Sequence, residues 1–417
     1  MASRIRVLDA TNRTMQRLGY LKALCALVNE TETSNLNTLG KRLIERVTQT
    51  VRMSPPFDEQ TRDYVKKRLT DGTYRELRKI VLEGSLIDAA VSMEIQDLYL
   101  ADPSLPSRTG KLVGENWRRY PYLGTSLELI KKGTYSALTR SLVLLAVTPK
   151  EEISAFQAWD REHNPMRISD SQAIVLLYCL IDNDAEVLLP LFQGLAGLAE
   201  ASFDERIAGN LLPEIMRQIV IAYRSRGITA EERDRLALLT KSANSIDKWK
   251  DKAYTGGGAR QETVTVRLEP YCDLGFLSKP DRDRFEYATT GALRVLLDRW
   301  ESVANTDTFL RERFFATFAA CRRMTVRSAD DGEAIEALAG AGQTLKSSLG
   351  YSPITDVGLL AGLRLLTERG AVLELGRTTK LLKFLQKQDP TFIRFTVDRM
   401  GVLAYVKFLK PCPEGKP

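Results

Sequence analysis

The stretch Leu274–Leu297, "LGFLSKPDRDRFEYATTGALRVLL", constrains the fold more than any other part of this chain. A helix is expected over Glu262–Cys272, with Pro270 weakening its end, and Asp273, Leu274 and Gly275 close it. Gly275 then sits in the left-handed region that favours glycine. "FLSK" reads as an outgoing strand and "PDRDR" as a charged turn. "FEYAT" alternates Phe285, Tyr287 and Thr289 and reads as the return strand. Thr290 and Gly291 open a new helix, "ALRVLLDRW". A shorter echo, "LELIKKGTYSALTRSLVLL", runs from Leu127 to Leu145. There Leu129, Ile130 and Lys131 replace "FLSK", and Tyr135 and Thr139 replace Tyr287 and Thr290. The Leu-Gly pair is displaced to Leu123 and Gly124.

Helical periodicity dominates elsewhere. Arg17–Val28, Leu39–Met53 and Asp63–Leu82 are amphipathic, and Thr109–Arg119 is a basic helix candidate. Residues 151–250 read as almost purely helical. "SDSQAIVLLYCLI" and "DNDAEVLLPLFQGLAGL" each start at a cap, Ser/Asp in the first, and predict two helices. Asp204–Tyr223 and Thr229–Trp249 predict two more. "TGGGAR" at 255–260 is a linker-like break. Past the main phrase, Thr308–Met324 predicts one helix and "SADDGEAIEALAGAGQ" another. Asp356–Glu368 and Gly376–Gln388 follow, with a Gly-containing turn between them. Thr391–Leu409, "TFIRFTVDRMGVLAYVKFL", alternates, is rich in β-branched and aromatic residues, and breaks at "DRMG", which predicts a β-hairpin. The expected fold class is mainly α with small β-hairpins. The expected division is 1–150, a helical region ending in a hairpin unit; 151–254, a helical middle; 255–345, the main hairpin unit with helices; and 346–417, a basic helix-hairpin unit.

Composition removes several classes of function. The 417 residues include five scattered cysteines, without a CxxC pair or Cys/His cluster, and one histidine, His163. That pattern argues against a disulfide framework, a zinc site and His-dependent catalysis. The cysteines are expected in the core. "GAGQTLKSS" at 340–348 resembles a phosphate loop, but Leu345 occupies the second glycine's position and no strand precedes it. No catalytic, cofactor-binding or metal-ligating set emerges, and no small-molecule substrate is indicated. A nuclease centre needs only two carboxylates and a lysine around a metal, so a cryptic nuclease stays among the alternatives. Apolar runs stop short of a membrane span, and the N-terminus carries no hydrophobic signal core, so the chain is expected to be cytoplasmic and to avoid membranes.

The net charge of +7 is unevenly placed. Residues 362–417 hold 11 basic and five acidic side chains, most of the surplus. A concentrated basic face suits a polyanion, or else it is a solvated helix surface.

Leu274, Gly275, Phe276, Leu277, Tyr287, Thr290 and Gly291 together resemble the end of a winged helix-turn-helix domain. That superfamily's pattern runs from a helix through Leu-Gly and a hairpin to an aromatic, a Thr and a Gly-containing helix start. The resemblance spans about 40 residues and points to no particular family. It implies tandem winged-helix-like units around a helical middle, with duplex DNA as the expected partner. Phosphate contacts would come from Arg260, Arg267, Lys279, Arg282 and Arg284 around the main phrase. Lys111, Arg118, Arg119, Lys131 and Lys132 would serve around the echo, and Arg377, Lys380, Lys383, Lys387 and Arg399 in the C-terminal segment. Lys380, Lys383 and Lys387 recur at helical spacing and share a face. Winged helices also serve as protein–protein modules, so a scaffold holding a partner subunit is the alternative.

Overall fold

The computed structural model describes residues 5–8, 18–31, 35–36, 38–40, 42, 119–130, 168–198, 202–224, 229–247, 264, 266–278, 286–397 and 403–410. The expected helices at 63–82 and 109–118, nearly all of that at 39–53, the linker at 255–260 and the turn at 279–285 lie outside them.

The described residues are mainly helical, with small sheets. Helices α1 (Gly19–Thr31), α2 (Arg119–Ser126) and α3 (Asp170–Ala196) precede β1 (Ser202–Asp204), α4 (Glu205–Arg224) and α5 (Ala230–Asp247). Next come α6 (Glu269–Asp273), β2 (Leu277–Ser278), β3 (Glu286–Thr289), α7 (Gly291–Glu301), α8 (Thr306–Glu312), α9 (Phe314–Cys321) and β4 (Arg327–Ser328). The chain closes with α10 (Asp331–Thr344), β5 (Ser352–Pro353), α11 (Ile354–Arg369), β6 (Ala371–Val372), α12 (Leu375–Gln388), β7 (Ile393–Val397) and β8 (Leu403–Phe408).

Two compact units emerge, along lines different from the four-part division expected. The first takes in Met1–Ser126, Thr148–Ile168 and Glu186–Thr289; the second takes in Leu127–Val147, Ser169–Ala185 and Thr290–Pro417. In the first unit, α4 buries Ala208, Leu212, Met216, Ile219, Val220 and Tyr223 at three- and four-residue steps, the mark of an amphipathic helix. It packs against α5. A three-stranded antiparallel sheet runs in the order β1-β3-β2, with Phe203 opposite Tyr287 and Leu277 opposite Thr289.

The second unit is built on an aromatic cluster. Trp300 stacks on Phe309 at 5.2 Å between centroids, and Phe314 meets Phe315 and Tyr178 edge-on at 5.5 and 5.4 Å. Gly362 of α11 has no side chain where a Cβ would meet the Phe315 ring at 2.6 Å, so the helix can approach α9 closely. Asp330 and Glu333 form a capping box at the start of α10, satisfying backbone donors that a helix cannot satisfy itself. Gly370, with φ +58, ends α11. The sheet runs β5-β8-β7, and all its pairings are antiparallel. β4 and β6 form a separate parallel pair.

The two sheets share a plan. In each, a short strand leads straight into a long helix and later pairs with the last strand of a hairpin (β1 with β3, β5 with β8).

Several local expectations are corrected. "DND" does not start a second helix, because α3 runs unbroken through it and through Pro190. Asp184 is 1 % exposed, and the Asn183 side chain donates to the Cys179 carbonyl one turn back, so neither caps a new helix. Pro270 opens α6 rather than weakening its end, because a proline in the first helical turn gives up no internal hydrogen bond. Thr308–Met324 divides at Arg313 into α8 and α9. Gly124 lies inside α2, and the left-handed residue after that helix is Glu128, φ +59.

Candidate nucleic-acid interface

The hairpin of the main phrase is anchored from below. Gly275 has φ +72, its N–H donates to the Cys272 carbonyl, and the Phe276 N–H donates to the Tyr271 carbonyl. Those two bonds, with Phe276 and Tyr271 facing each other at 6.4 Å, are a Schellman motif. β2 and β3 then pair, and the Thr290 hydroxyl accepts from Leu293 N–H to start α7. Tyr287 is fully buried, stacks on Phe203, and donates its hydroxyl to Glu269 at 2.7 Å. Burial, then the neighbouring Glu269 charge, pushes that phenol well above its ordinary range, so it stays a neutral donor.

The helix before the hairpin does not behave as a groove reader. α6 has five residues, and Glu269, Pro270, Tyr271 and Cys272 are all buried. Arg267 is 2 % exposed and donates to the Leu8 carbonyl at 3.3 Å. A guanidinium so enclosed is out of reach of a phosphate, so Arg267 is a buried tie rather than a phosphate contact. Arg235 makes a similar bond to the Ile5 carbonyl. Arg260, Lys279, Arg282, Arg284, Lys111, Arg118, Lys131, Lys132 and Arg399 lie outside the described residues. Arg119 begins α2, without a described side chain.

The second unit holds the remaining candidates. α12, "LGRTTKLLKFLQKQ", carries four basic residues and no acid. Leu375, Thr378, Leu381 and Leu382 bury one face, and α8 packs against the first turn. Gly376 lies there against the Arg311 carbonyl, where a Cβ would come within 3.1 Å. The amino end is therefore covered, and the open face begins at Lys380. Lys380 and Lys387 run down its middle, with Lys383 on one flank and Phe384 on the other, and all four are exposed.

Charge bookkeeping separates these lysines from their neighbours. Arg377 is spent on Asp331, the Ser328 hydroxyl and the Ala329 carbonyl. Arg327 pairs with Glu333, Arg369 with Glu336 and Lys410 with Asp389. Lys380, Lys383 and Lys387 join no ion pair among the described residues. The turn from α12 into β7 is pinned by Asp389, which accepts the Thr391 hydroxyl and N–H, bonds that hold its carboxyl below the usual range.

The hairpin beyond α12 adds a second basic feature. Alternation turns Ile393 and Val406 inward, both fully buried. Arg394 faces Lys407 directly across the ladder. Like charges in that position repel. Lys407 turns toward the Leu349 carbonyl at 3.0 Å and the Tyr351 ring at 5.3 Å, while Arg394 stays exposed.

Other sequence features resolve simply. Cys25, Cys179 and Cys272 are buried thiols and Cys321 is half-buried. Burial pushes the Cys321 thiol up to about 11. "GAGQT" at 340–344 is the last turn of α10, not a loop after a strand. No described helix is long and apolar enough to cross a membrane. Comparisons of the chain with protein-family models, curated proteins and solved structures found no match.

Proposed function

We propose that the chain binds duplex DNA through winged-helix units, without catalysing a reaction. It would act as the recognition or adaptor part of a bacterial DNA transaction or defence system. The observation that carries this reading is α12, a helix with three unpaired lysines along its open face. It follows α10, β5 and α11, with the two-residue strand β6, which pairs β4, in the turn between α11 and α12, and it precedes the β7–β8 hairpin, with β5 pairing β8. Helix, strand, helix, helix and hairpin in that order is the plan of a winged helix, and α12 stands where such domains carry the groove-reading helix. The similar sheet around β1, β2 and β3 supports a second unit of related plan, whose buried α6 leaves the DNA contact to α12. Lys380 and Lys387 are separated by about 10 Å along the helix at ~1.5 Å per residue. The major groove is roughly 12 Å wide, so the two ammonium groups can reach phosphates on its two walls.

Fluorescence anisotropy with a mixed-sequence duplex tests the reading, at low and at physiological salt, with and without magnesium. Binding that weakens steeply with salt, leaving the DNA intact, supports it. Absent or salt-insensitive binding contradicts it, and magnesium-dependent cleavage would favour a nuclease. The scaffold reading draws on Leu349, Val397 and Leu409, which are 61, 51 and 41 % exposed. It predicts a partner subunit that co-purifies and stays bound when the α12 lysines are replaced.

A further inference from the structure

Phe384 is an exposed aromatic in the middle of the most basic of the described helices. It is 53 % exposed, while Leu381 and Leu382 beside it are buried and supply the packing of α12. The fold gains little from a phenyl ring there. Among the exposed large hydrophobic side chains described, Phe384 alone is aromatic. Lysines stand four positions before it, one before it and three after it. Cores of protein–protein interfaces are depleted in lysine, so this setting suits a protein partner poorly. A polyanion matches the charge, and the ring then needs an apolar feature of that polyanion to meet.

Duplex DNA offers one such feature in the major groove, the 5-methyl group of thymine. With Lys380 and Lys387 on phosphates of opposite walls, the part of α12 between them spans the groove, and Phe384, which lies between them along the axis, is held over the base edges. We infer that Phe384 reads a thymine methyl, giving the chain a preference for A·T pairs at that position. The inference rests on the DNA-binding reading and deepens it. Lys380 and Lys387 position the helix, and Phe384 confers the sequence preference.

The test compares two short duplexes of one thymine-rich sequence, with thymine in the first and uracil in the second, which removes only the methyl groups. With the full chain, the thymine duplex is expected to bind about fourfold tighter per methyl contacted, the effect of withdrawing one methylene-sized group from water. F384A should bind both duplexes alike, near the wild-type affinity for the uracil duplex. The ring is half in solvent, so the variant should keep the wild-type melting temperature. Salt-dependent binding with equal affinities for the two wild-type complexes would overturn the inference and leave the DNA reading standing. Failure to bind either duplex would overturn both. Tighter, Phe384-dependent binding to the single strand would show base stacking instead, and loss of a protein complex in F384A with duplex affinity unchanged would show a docking residue.

Discussion

The carboxylate of Glu374 accepts the backbone N–H of Ala316 at 2.8 Å. Its second oxygen accepts that of Phe315 at 3.1 Å, so one side chain caps the amino end of α9 while its own backbone begins α12. The helix that carries the candidate lysines is thereby tied to the aromatic core of its unit.

This clasp should make stability depend on pH. Burial pushes the Glu374 carboxyl from its ordinary 4.5 up to about 7, against the pull of the two backbone donors and Arg313. A carboxyl raised on folding favours the folded state most below its unfolded value. That contribution is lost as pH rises from about 4.5 through about 7, to an upper limit of about 3 kcal/mol. Denaturant melts of the full chain from pH 5 to pH 8 should show this decline. Glu374→Gln should flatten it, starting lower at pH 5 because one acceptor is gone. Parallel profiles for the two proteins would contradict the account.

Two glycines of α10 should respond oppositely to alanine. A Cβ on Gly342 would overlap the Phe408 ring of β8, whereas Gly340 has nothing within 4 Å. Gly340→Ala should stabilise by up to about 1 kcal/mol, the ordinary helical gain. Gly342→Ala should destabilise by about 1–3 kcal/mol through overpacking. Thermal melts of the two variants check the signs.

Tyr287→Phe should cost about 1–3 kcal/mol, because it removes the 2.7 Å bond to Glu269 in a buried site and leaves the ring in place. An unchanged melting temperature would mean that this bond does not hold the base of the hairpin.

Arg267→Ala should separate stability from binding. It removes a buried tie to the Leu8 carbonyl, and a drop of about 2 kcal/mol is expected by denaturant melt. The salt dependence of duplex binding should not change, since Arg267 touches no phosphate in this account.

What could be read from the chain alone depended on whether neighbours in sequence decided the outcome. Gly275 was legible because the left-handed cap favours glycine, and the two hairpins were legible because alternation is a local pattern. β1 was missed, since "SFD" becomes a strand only by pairing with residues more than 80 positions later. The four-residue burial of α6 was hidden in the same way, because only the folded chain sets Tyr287 of β3 against Glu269 and closes over "EPYC". For the candidate site, helical spacing placed Lys380, Lys383 and Lys387 on one face correctly. It did not separate them from Arg377, whose charge is taken up by Asp331, nor from Arg267, which is buried. Basic residues look alike in sequence, and only the fold assigns them partners. Phe384 was overlooked because a phenylalanine in an amphipathic helix is ordinarily read as core.

The salt dependence of duplex binding, compared between the wild-type chain and K380Q/K383Q/K387Q, tests the central claim most directly. Each phosphate neutralised contributes about 0.9 to the slope of log affinity against log salt. If the three lysines hold three phosphates, the slope should flatten by roughly 2.7 in the triple variant, with weaker binding at low salt. Equal slopes in the two proteins would contradict α12 as the DNA-contacting helix.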